Sequence, residues 1–554
     1  MPEKLKFSRG LFYFAFSALT LQSLAKAETT AFQLLYQKNG DVADAFLSYS
    51  VAGAGDVNGD GKADFIIGAP FISPGGRTNA GSAYVYSGAD GALLHQKDGI
   101  SSGDQLGYSV AGAGDIDGDG KADFIIGAIY TLNGIPPDFF YGGSAYVYSG
   151  ATGGVLYIKQ GDDPGGQLGN SVAGAGDVNG DGKADFIVGA PFSSPGSSLA
   201  GSAYVYSGAD GALLYQKDGE NADDLLGFSV ASAGDVDGDS RADFIIGAPF
   251  VDVGVEPGGL FFDAGEAYVY SGATGSLLYG PAGNKACEQL GYSVAGAGDV
   301  NGDTRADFIV GAIGAAPGGT DIVGSAYVYS GADGALLYQK DGSGLFDDFG
   351  FSVAGAGDAD GDGKADFIIG ARFADPGGVS DAGSAFLYSG LDGSLLFQKD
   401  GTGADDHMGY AVAGGGDVNE DGNADFIVGA EAADPGGNTD AGSAFVYGLI
   451  VTDVSEQESP RPAHFELAQN YPNPFNPTTT IQYYLPKREK VTLEIFNILG
   501  EQVRVLVDEE QAAGERTAVW DGKDGKGKIL PSGIYFYRLK TKDYSEVKKM
   551  MFLK

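Results

Sequence analysis

The chain is nearly free of cysteine: Cys287 is the only one in 554 residues, so no intramolecular disulfide can form. Histidine is almost as scarce, at three (His95, His407 and His464), and no Ser-His-Asp set can be assembled from them. Basic side chains are outnumbered 34 to 74, for a net charge of −40. Between residues 28 and 462 the imbalance sharpens to 16 Lys and Arg against 61 Asp and Glu, a net of −45. A field of that sign repels nucleic acid and anionic lipid and suits cations. Beyond the N-terminus no apolar run is long enough to span a bilayer. Glycine, by contrast, is abundant at 94 residues. It follows no Gly-X-Y period, which excludes collagen, and a hydrophobic content of 43% argues against disorder. Glycine mixed with Tyr, Val, Ile and Phe points to short strands and tight turns.

The N-terminus reads as a secretory signal over residues 1–27. Lys4, Lys6 and Arg9 form a basic start, Leu11 to Leu24 is mostly apolar, and Ala25-Lys26-Ala27 offers small residues at both cleavage positions. The mature chain is then expected to carry no transmembrane segment, and a secreted protein without disulfides needs another source of rigidity. Bound metal is one.

Internal repetition decides the organisation. Gly107-Tyr108-Ser109-Val110-Ala111-Gly112-Ala113-Gly114-Asp115 recurs seven times with small changes, each copy followed by an Asp-rich loop, Ala-Asp-Phe-Ile and Gly-Ala. The loops begin at Asp56, Asp115, Asp177, Asp235, Asp299, Asp358 and Asp417, spaced by 58 to 64 residues. That is longer than a WD40 or kelch unit, and the repeats lack a Trp-Asp pair. Each unit predicts four strands, as in Ser-Val-Ala-Gly-Ala-Gly, Ala63–Ala69, Ser82–Tyr86 and Leu213–Lys217, apolar on both faces. A copy of the fourth strand, Leu34 to Lys38, precedes the first loop, while the seventh unit stops at its third, Ser443 to Tyr447. A closed ring, latched by the N-terminal strand, explains that offset; an open solenoid does not.

The pairs Leu106-Gly107 and Phe349-Gly350, with Gly68-Ala69-Pro70, Gly189-Ala190-Pro191 and Gly247-Ala248-Pro249, resemble the FG-GAP repeat of integrin α-subunit propellers and of many bacterial surface proteins. The resemblance covers roughly residues 31–450 and implies an all-β, seven-bladed β-propeller over 28–450. Ser48 departs from it by replacing a glycine, and the second, fifth, sixth and seventh units lack the proline.

The loop Asp56-Val57-Asn58-Gly59-Asp60-Gly61-Lys62-Ala63-Asp64 places oxygen side chains at positions 1, 3, 5 and 9. A chain turning around an ion points alternate side chains inward; position 7 adds a carbonyl, here of Lys62, and glycines at 4 and 6 allow the wrap. Hard oxygen ligands in this number favour Ca²⁺ over Zn²⁺ or Mg²⁺. The candidate ligands are Asp56, Asn58, Asp60 and Asp64 in the first loop and Asp115, Asp117, Asp119 and Asp123 in the second. Asp177, Asn179, Asp181 and Asp185 form the third, and Asp235, Asp237, Asp239 and Asp243 the fourth. Asp299, Asn301, Asp303 and Asp307 belong to the fifth, Asp358, Asp360, Asp362 and Asp366 to the sixth, and Asp417, Asn419, Asp421 and Asp425 to the seventh. About seven Ca²⁺ are expected, with weaker binding where Ser240, Thr304 and Glu420 replace glycines. Asp and Asn also make plain turns. Seven such sets in register, however, would repel one another without a cation.

Antiparallel strands put the calcium loops at the same end as the turns between third and fourth strands. The other end carries the variable loops, including Tyr130 to Tyr141 with Phe139-Phe140-Tyr141, and Phe250 to Asp263 with Phe261-Phe262. Aromatics on rigidly held loops suit ligand binding, and an extracellular glycan or protein is the expected partner there.

Residues 451–462 read as a polar linker. Alternating runs at Thr479–Leu485, Val491–Asn497, Gln502–Val507, Thr517–Trp520, Ile534–Leu539 and Val547–Leu553 predict a small Ig-like β-sandwich over 463–554. Its opening Leu467 to Pro477, with Asn497-Ile498-Leu499-Gly500, Trp520-Asp521-Gly522, Ser532-Gly533-Ile534-Tyr535 and the basic end Lys548 to Lys554, resembles the type A sorting domain of the bacterial type IX secretion system. That resemblance implies engagement of the type IX machinery and a secreted or outer-surface location on a Gram-negative-type bacterium. The chain therefore reads as a binding or adhesion module and not an enzyme. The alternatives are a polysaccharide-active hydrolase or lyase using a carboxylate pair, and a structural surface-layer component.

Overall fold

The structure, a computed structural model, describes residues 29–133, 140–254, 261–319, 321–452, 465–512, 514–542 and 544–554. The expected signal segment and most of the expected linker lie outside these residues. Two compact units emerge, one of Thr30–Val451 and one from Thr452 to the C-terminus.

The first unit contains seven four-stranded antiparallel sheets. Sheet 1 comprises Ser50–Gly55, Asp64–Ala69, Ser82–Tyr86 and Leu93–Asp98. Sheets 2 to 6 repeat this order, starting at Leu106, Ser171, Ser229, Leu290 and Phe349. Sheet 7 is built from Met408–Gly416, Asp425–Ala430 and Ser443–Thr452, and Thr29–Asn39 supplies its fourth strand. Its third strand thus runs two residues into the segment expected to be linker. The first strand of each sheet packs on the first strand of the next, and that of sheet 7 packs on that of sheet 1. Tyr410 and Tyr49 meet across this last junction, with ring centroids 5.0 Å apart.

The second strand is buried at every position in all seven sheets, as an apolar run between two neighbours requires. The fourth strand departs from the expectation of two apolar faces. It is the outermost, so one face meets solvent, and Leu93, Leu213, Leu277, Leu336 and Leu395 are about half exposed. Close approach between sheets explains the glycine that ends each second strand. A Cβ on Gly68 would lie 2.0 Å from the Gly107 carbonyl oxygen of sheet 2. Ser48 stands where the other units carry a left-handed glycine; it holds φ 75° and its hydroxyl donates to the Ser443 carbonyl.

Side chains of the fourth strands reach across to the next sheet. Tyr36 donates to Gly88 O at 2.8 Å, and Tyr157, Tyr215, Tyr279 and Tyr338 repeat this on Gly208, Gly272, Gly331 and Gly390. His95 occupies the same place against Gly150 O. Two residues on, Lys38, Lys97, Lys159, Lys217 and Lys340 bond to Gly91, Gly153, Gly211, Gly275 and Gly393. Each of these ammonium groups also lies 4.3–5.0 Å from the ring centroid of a tyrosine in that next sheet, Tyr86 for Lys38.

The second unit holds two sheets, Glu466–Leu467, Thr479–Leu485 and Gly514–Trp520 in one, Glu489–Phe496, Gln502–Gln511, Gly533–Lys540 and Ser545–Phe552 in the other. Their apolar faces enclose Trp520, Tyr483, Tyr537, Phe475 and Phe552. Asp521 pairs with Lys523 and Asp524 accepts from the Lys526 and Lys528 amides, so these acids shape a turn.

Thr29–Asn39 docks through Phe32 on Phe397 and Phe426 as well as through Tyr36 and Lys38. Deleting residues 29–39 is expected to lower the Tm clearly and expose a sheet edge, and Phe32→Ala alone to cost about 2 kcal/mol. Thermal denaturation of both variants checks this; an unchanged Tm in the truncated protein contradicts it.

Candidate metal centre

Each first strand ends in a one-residue bulge. In sheet 1, Gly53 pairs with Phe65 and Gly55 with Asp64, leaving Ala54 unpaired, and the same shift recurs in the other six sheets. The bulge turns the chain out into the Asp-rich loop, and the second strand begins on the loop's ninth residue.

Inside the loop, side-chain oxygens gather the backbone. Asp56 accepts from the amides of Gly59, Asp60 and Gly61, Asn58 Oδ1 from Asp60, and Asp60 Oδ1 from Lys62. The ninth residue does most. Asp64 is fully buried; its Oδ2 accepts from Val57 and Asn58, and its Oδ1 from Gly88 in the turn between third and fourth strands. Loop and turn therefore share one end of the sheet, as strand alternation requires. Asp123, Asp185, Asp243, Asp307 and Asp366 repeat the contact with Gly150, Gly208, Gly272, Gly331 and Gly390.

Three of the seven candidate sets are drawn together in part, without Asp119, Asp243 and Asp362. Asp115, Asp117 and Asp123 each offer an oxygen within 4.8 Å of the others, and so do Asp235, Asp237 and Asp239, and Asp358, Asp360 and Asp366. Oxygens on a shell of 2.3–2.6 Å radius around Ca²⁺ are separated by about 5 Å or less, so the spacing fits. These are the three loops with Asp at position 3. In the other four Asn179, or Asn58, Asn301 and Asn419 with their Nδ2 on Asp60, Asp303 and Asp421, takes that place.

Among the candidate ligands, two buried oxygens have no hydrogen-bond partner, Asp235 Oδ1 and Asp425 Oδ1. At Asp425 the cause is topological. The chain after Tyr447 continues as a strand to Thr452 where the other sheets make their turn, so no glycine amide faces Oδ1. Burial pushes the carboxyls of Asp64 and Asp243 up to about 6 and those of Asp366 and Asp425 up to about 7, and raises Asp123, Asp185 and Asp307, with backbone amides opposing the shift in each case. A divalent cation would restore the ionised form. Oxygen-only donors, tight spacing and unpartnered buried oxygens together fit a hard cation such as Ca²⁺. The replacements at the turn positions hold the loop path: Ser240, Thr304 and Glu420 adopt φ of 71°, 74° and 61°.

The opposite end displays aromatics. Tyr141 and Phe262 are 59% and 60% exposed, and Phe140 and Phe261 are half-buried. Phe139 lies outside the described residues. What the sequence reading missed here is the partnership between the ninth-position carboxylate and a glycine amide of the turn. Its only signal was the invariable Ser-Gly that follows the third strand in six units.

The FG-GAP repeat family matches residues 48–86, 106–148, 168–206, 226–270, 349–388 and 408–447. The unit carrying Asp299 is not among these segments, although its strands follow the same order. The FlgD Ig-like domain matches residues 476–544. Integrin alpha pat-2 of Caenorhabditis elegans is 34% identical over 36% of this chain and 18% of its own length. Integrin alpha-5 of Xenopus laevis is 30% identical over 38% of this chain and 20% of its own. For integrin alpha-V of Gallus gallus the figures are 33%, 38% and 21%, so the chain spans about a fifth of these relatives. A solved structure of PorZ, titled a surface component of the type-IX secretion system of Porphyromonas gingivalis, aligns over 94% of this chain and 61% of its own at 13% identity and a TM-score of 0.39, too slight a likeness to bear on fold or function.

A ligand and a turn-former are distinguishable at Asp181, whose Oδ1 accepts from the Lys183 amide. Asp181→Ala is expected to cost about 2 kcal/mol in millimolar calcium and much less in chelator. Equal losses under both conditions, by denaturant titration, contradict a metal role.

Proposed function

We propose that this chain is a secreted or cell-surface protein whose repeat unit is a closed, seven-bladed, calcium-loaded β-propeller acting as a binding or adhesion module. The observation that carries the reading is the seven loops, each closed by a fully buried Asp that in six of them also accepts from a glycine amide in its own sheet's turn. The strand at Thr29–Asn39 in sheet 7 and the packing of sheet 7 on sheet 1 support closure. The integrin relatives support adhesion, and no helix among the described residues is long and apolar enough to cross a membrane.

Calcium in this reading is structural. It neutralises carboxylates at one end of the propeller, while the ligand, a glycan or a protein, meets loops at the other. Residues 1–27 direct secretion. Residues 463–554 serve as a type IX sorting domain, a role for which their compact sandwich and basic end are suited. The account needs no catalytic residues.

Separation of the two ends gives the test. Tyr141→Ala with Phe262→Ala is expected to weaken binding to the ligand recovered from glycan and matrix-protein arrays by about tenfold or more, with an unchanged Tm. Asp181→Ala is expected to lower the Tm and leave affinity nearly intact well below it. The opposite pattern, read by calorimetry and thermal denaturation, assigns the ends the other way round.

A further inference from the structure

The connection from each fourth strand to the next first strand ends two residues before a buried apolar residue: Leu47, Leu106, Leu168, Leu226, Leu290, Phe349 and Met408. In five connections the residue at that point is acidic and folds back on its own loop. Asp104 accepts from Ser101 N at 2.7 Å, Asp224 from Asn221 N at 2.8 Å, Glu288 from Asn284 N at 2.8 Å, Asp347 from Gly344 N at 2.8 Å and Asp406 from Gly403 N at 2.6 Å. The first four are at most 8% exposed. Glu288 also accepts from Tyr327 OH at 3.0 Å, so the carboxylate fills the space above the third-strand tyrosine.

The remaining two connections carry Ala45 and Gly166 at this point. Both lack a carboxylate, and a cavity opens at each, of about 690 Å³ beside Ala45 and about 190 Å³ beside Gly166. The two share a lining: Tyr84, Tyr86 and Gln96 in one correspond to Tyr204, Tyr206 and Gln216 in the other, and Asp41 to Asp162. In the larger, Tyr84 and Tyr86 lie on one face of their strand with centroids 6.4 Å apart and planes 26° from parallel. Asp41, Asp44 and Gln96 stand exposed at its edge. It belongs to the loops opposite the calcium end.

The geometry points to a saccharide site: we propose that the cavity between residues 39–47 and the Tyr84–Tyr86 face binds a neutral pyranose, whose hydroxyls take the place that the loop's own carboxylate holds in the sister grooves. The Tyr84 ring accepts the C–H face of a sugar, while Asp41, Asp44 and the Gln96 carboxamide accept or donate to its hydroxyls. An anion is disfavoured by the two aspartates. A cation is disfavoured because Lys38 already sits over Tyr86, its ammonium 4.5 Å from the ring centroid. The volume exceeds one sugar ring, which allows an oligosaccharide to enter. This inference rests on the reading of the chain as a binding module and narrows it to one ligand class and one groove.

The test uses the full chain in millimolar calcium, titrated by NMR and calorimetry with neutral di- and trisaccharides of glucose, galactose, mannose and N-acetylglucosamine, and in parallel with a lysine-rich peptide. At least one neutral saccharide is expected to bind. Ala45→Asp, which places at this point the acidic side chain that five sister loops carry, is expected to weaken that binding at least tenfold with Tm and calcium content unchanged. Tyr84→Phe, which keeps the ring, is expected to weaken it by about three- to tenfold. Parent-like saccharide affinity in both variants overturns the proposal, as does the absence of saccharide binding at millimolar concentration. If the peptide binds and no saccharide does, the saccharide site falls while the binding-module reading stands; if the Tyr141 and Phe262 variant alone loses every array ligand, the binding module stands without this groove.

Discussion

One glycine in each of six repeats couples a loop to a seam between sheets. The Gly88 amide donates to the buried Asp64 that closes the Asp-rich loop, and the Gly88 carbonyl accepts from Tyr36 of the neighbouring sheet. Gly150, Gly208, Gly272, Gly331 and Gly390 stand in the same double contact. A charge state inside a loop is thereby transmitted to the seam between sheets. Burial alone favours the neutral acid, whereas the amides and a bound cation favour the carboxylate. If the proposed cations were removed, the loops would hold several carboxylates a few ångströms apart, and in six of them the repulsion would bear on these glycines.

The exception shows what the chain topology demands. Sheet 7 takes its fourth strand from the N-terminus, so its third strand has no turn to make and Asp425 Oδ1 has no glycine amide. Phe397 stands where sheets 2 to 5 place a tyrosine and sheet 1 places His95, and it packs on Phe32, Phe426 and Tyr447. The junction is held by aromatic packing in place of the hydrogen bond. Asp425 Oδ1 lies instead against Gly448, where a Cβ would come within 2.1 Å of it.

Much of this was legible in the sequence because repetition amplifies weak signals. Seven copies of Ala-Asp-Phe-Ile located the second strands to within a residue, and in three loops three of the four odd-numbered side chains offer oxygens close to one another. Leu34 to Lys38 proved to lie beside the third strand of sheet 7. The rest depends on contacts between repeats, which no single unit displays. Tyr36 and Lys38 looked like ordinary strand residues; their partners Gly88 and Gly91 belong to another sheet. Ala45 looked like any loop residue until Asp104, Asp224, Glu288, Asp347 and Asp406 were seen to occupy the corresponding point of five sister loops and bond to those loops' own amides. The exposed leucines of the fourth strands follow from their outermost place, which an apolar pattern alone does not reveal.

The central claim is that the seven loops hold cations and that those cations stabilise the sheets they close. Calorimetric titration of the chelator-treated full chain with calcium, paired with its Tm at each point, tests both parts at once. The account predicts about seven calcium ions per chain and a Tm that climbs as they bind. A chain that takes up no calcium at millimolar concentration, or whose Tm stays fixed while calcium binds, would contradict it.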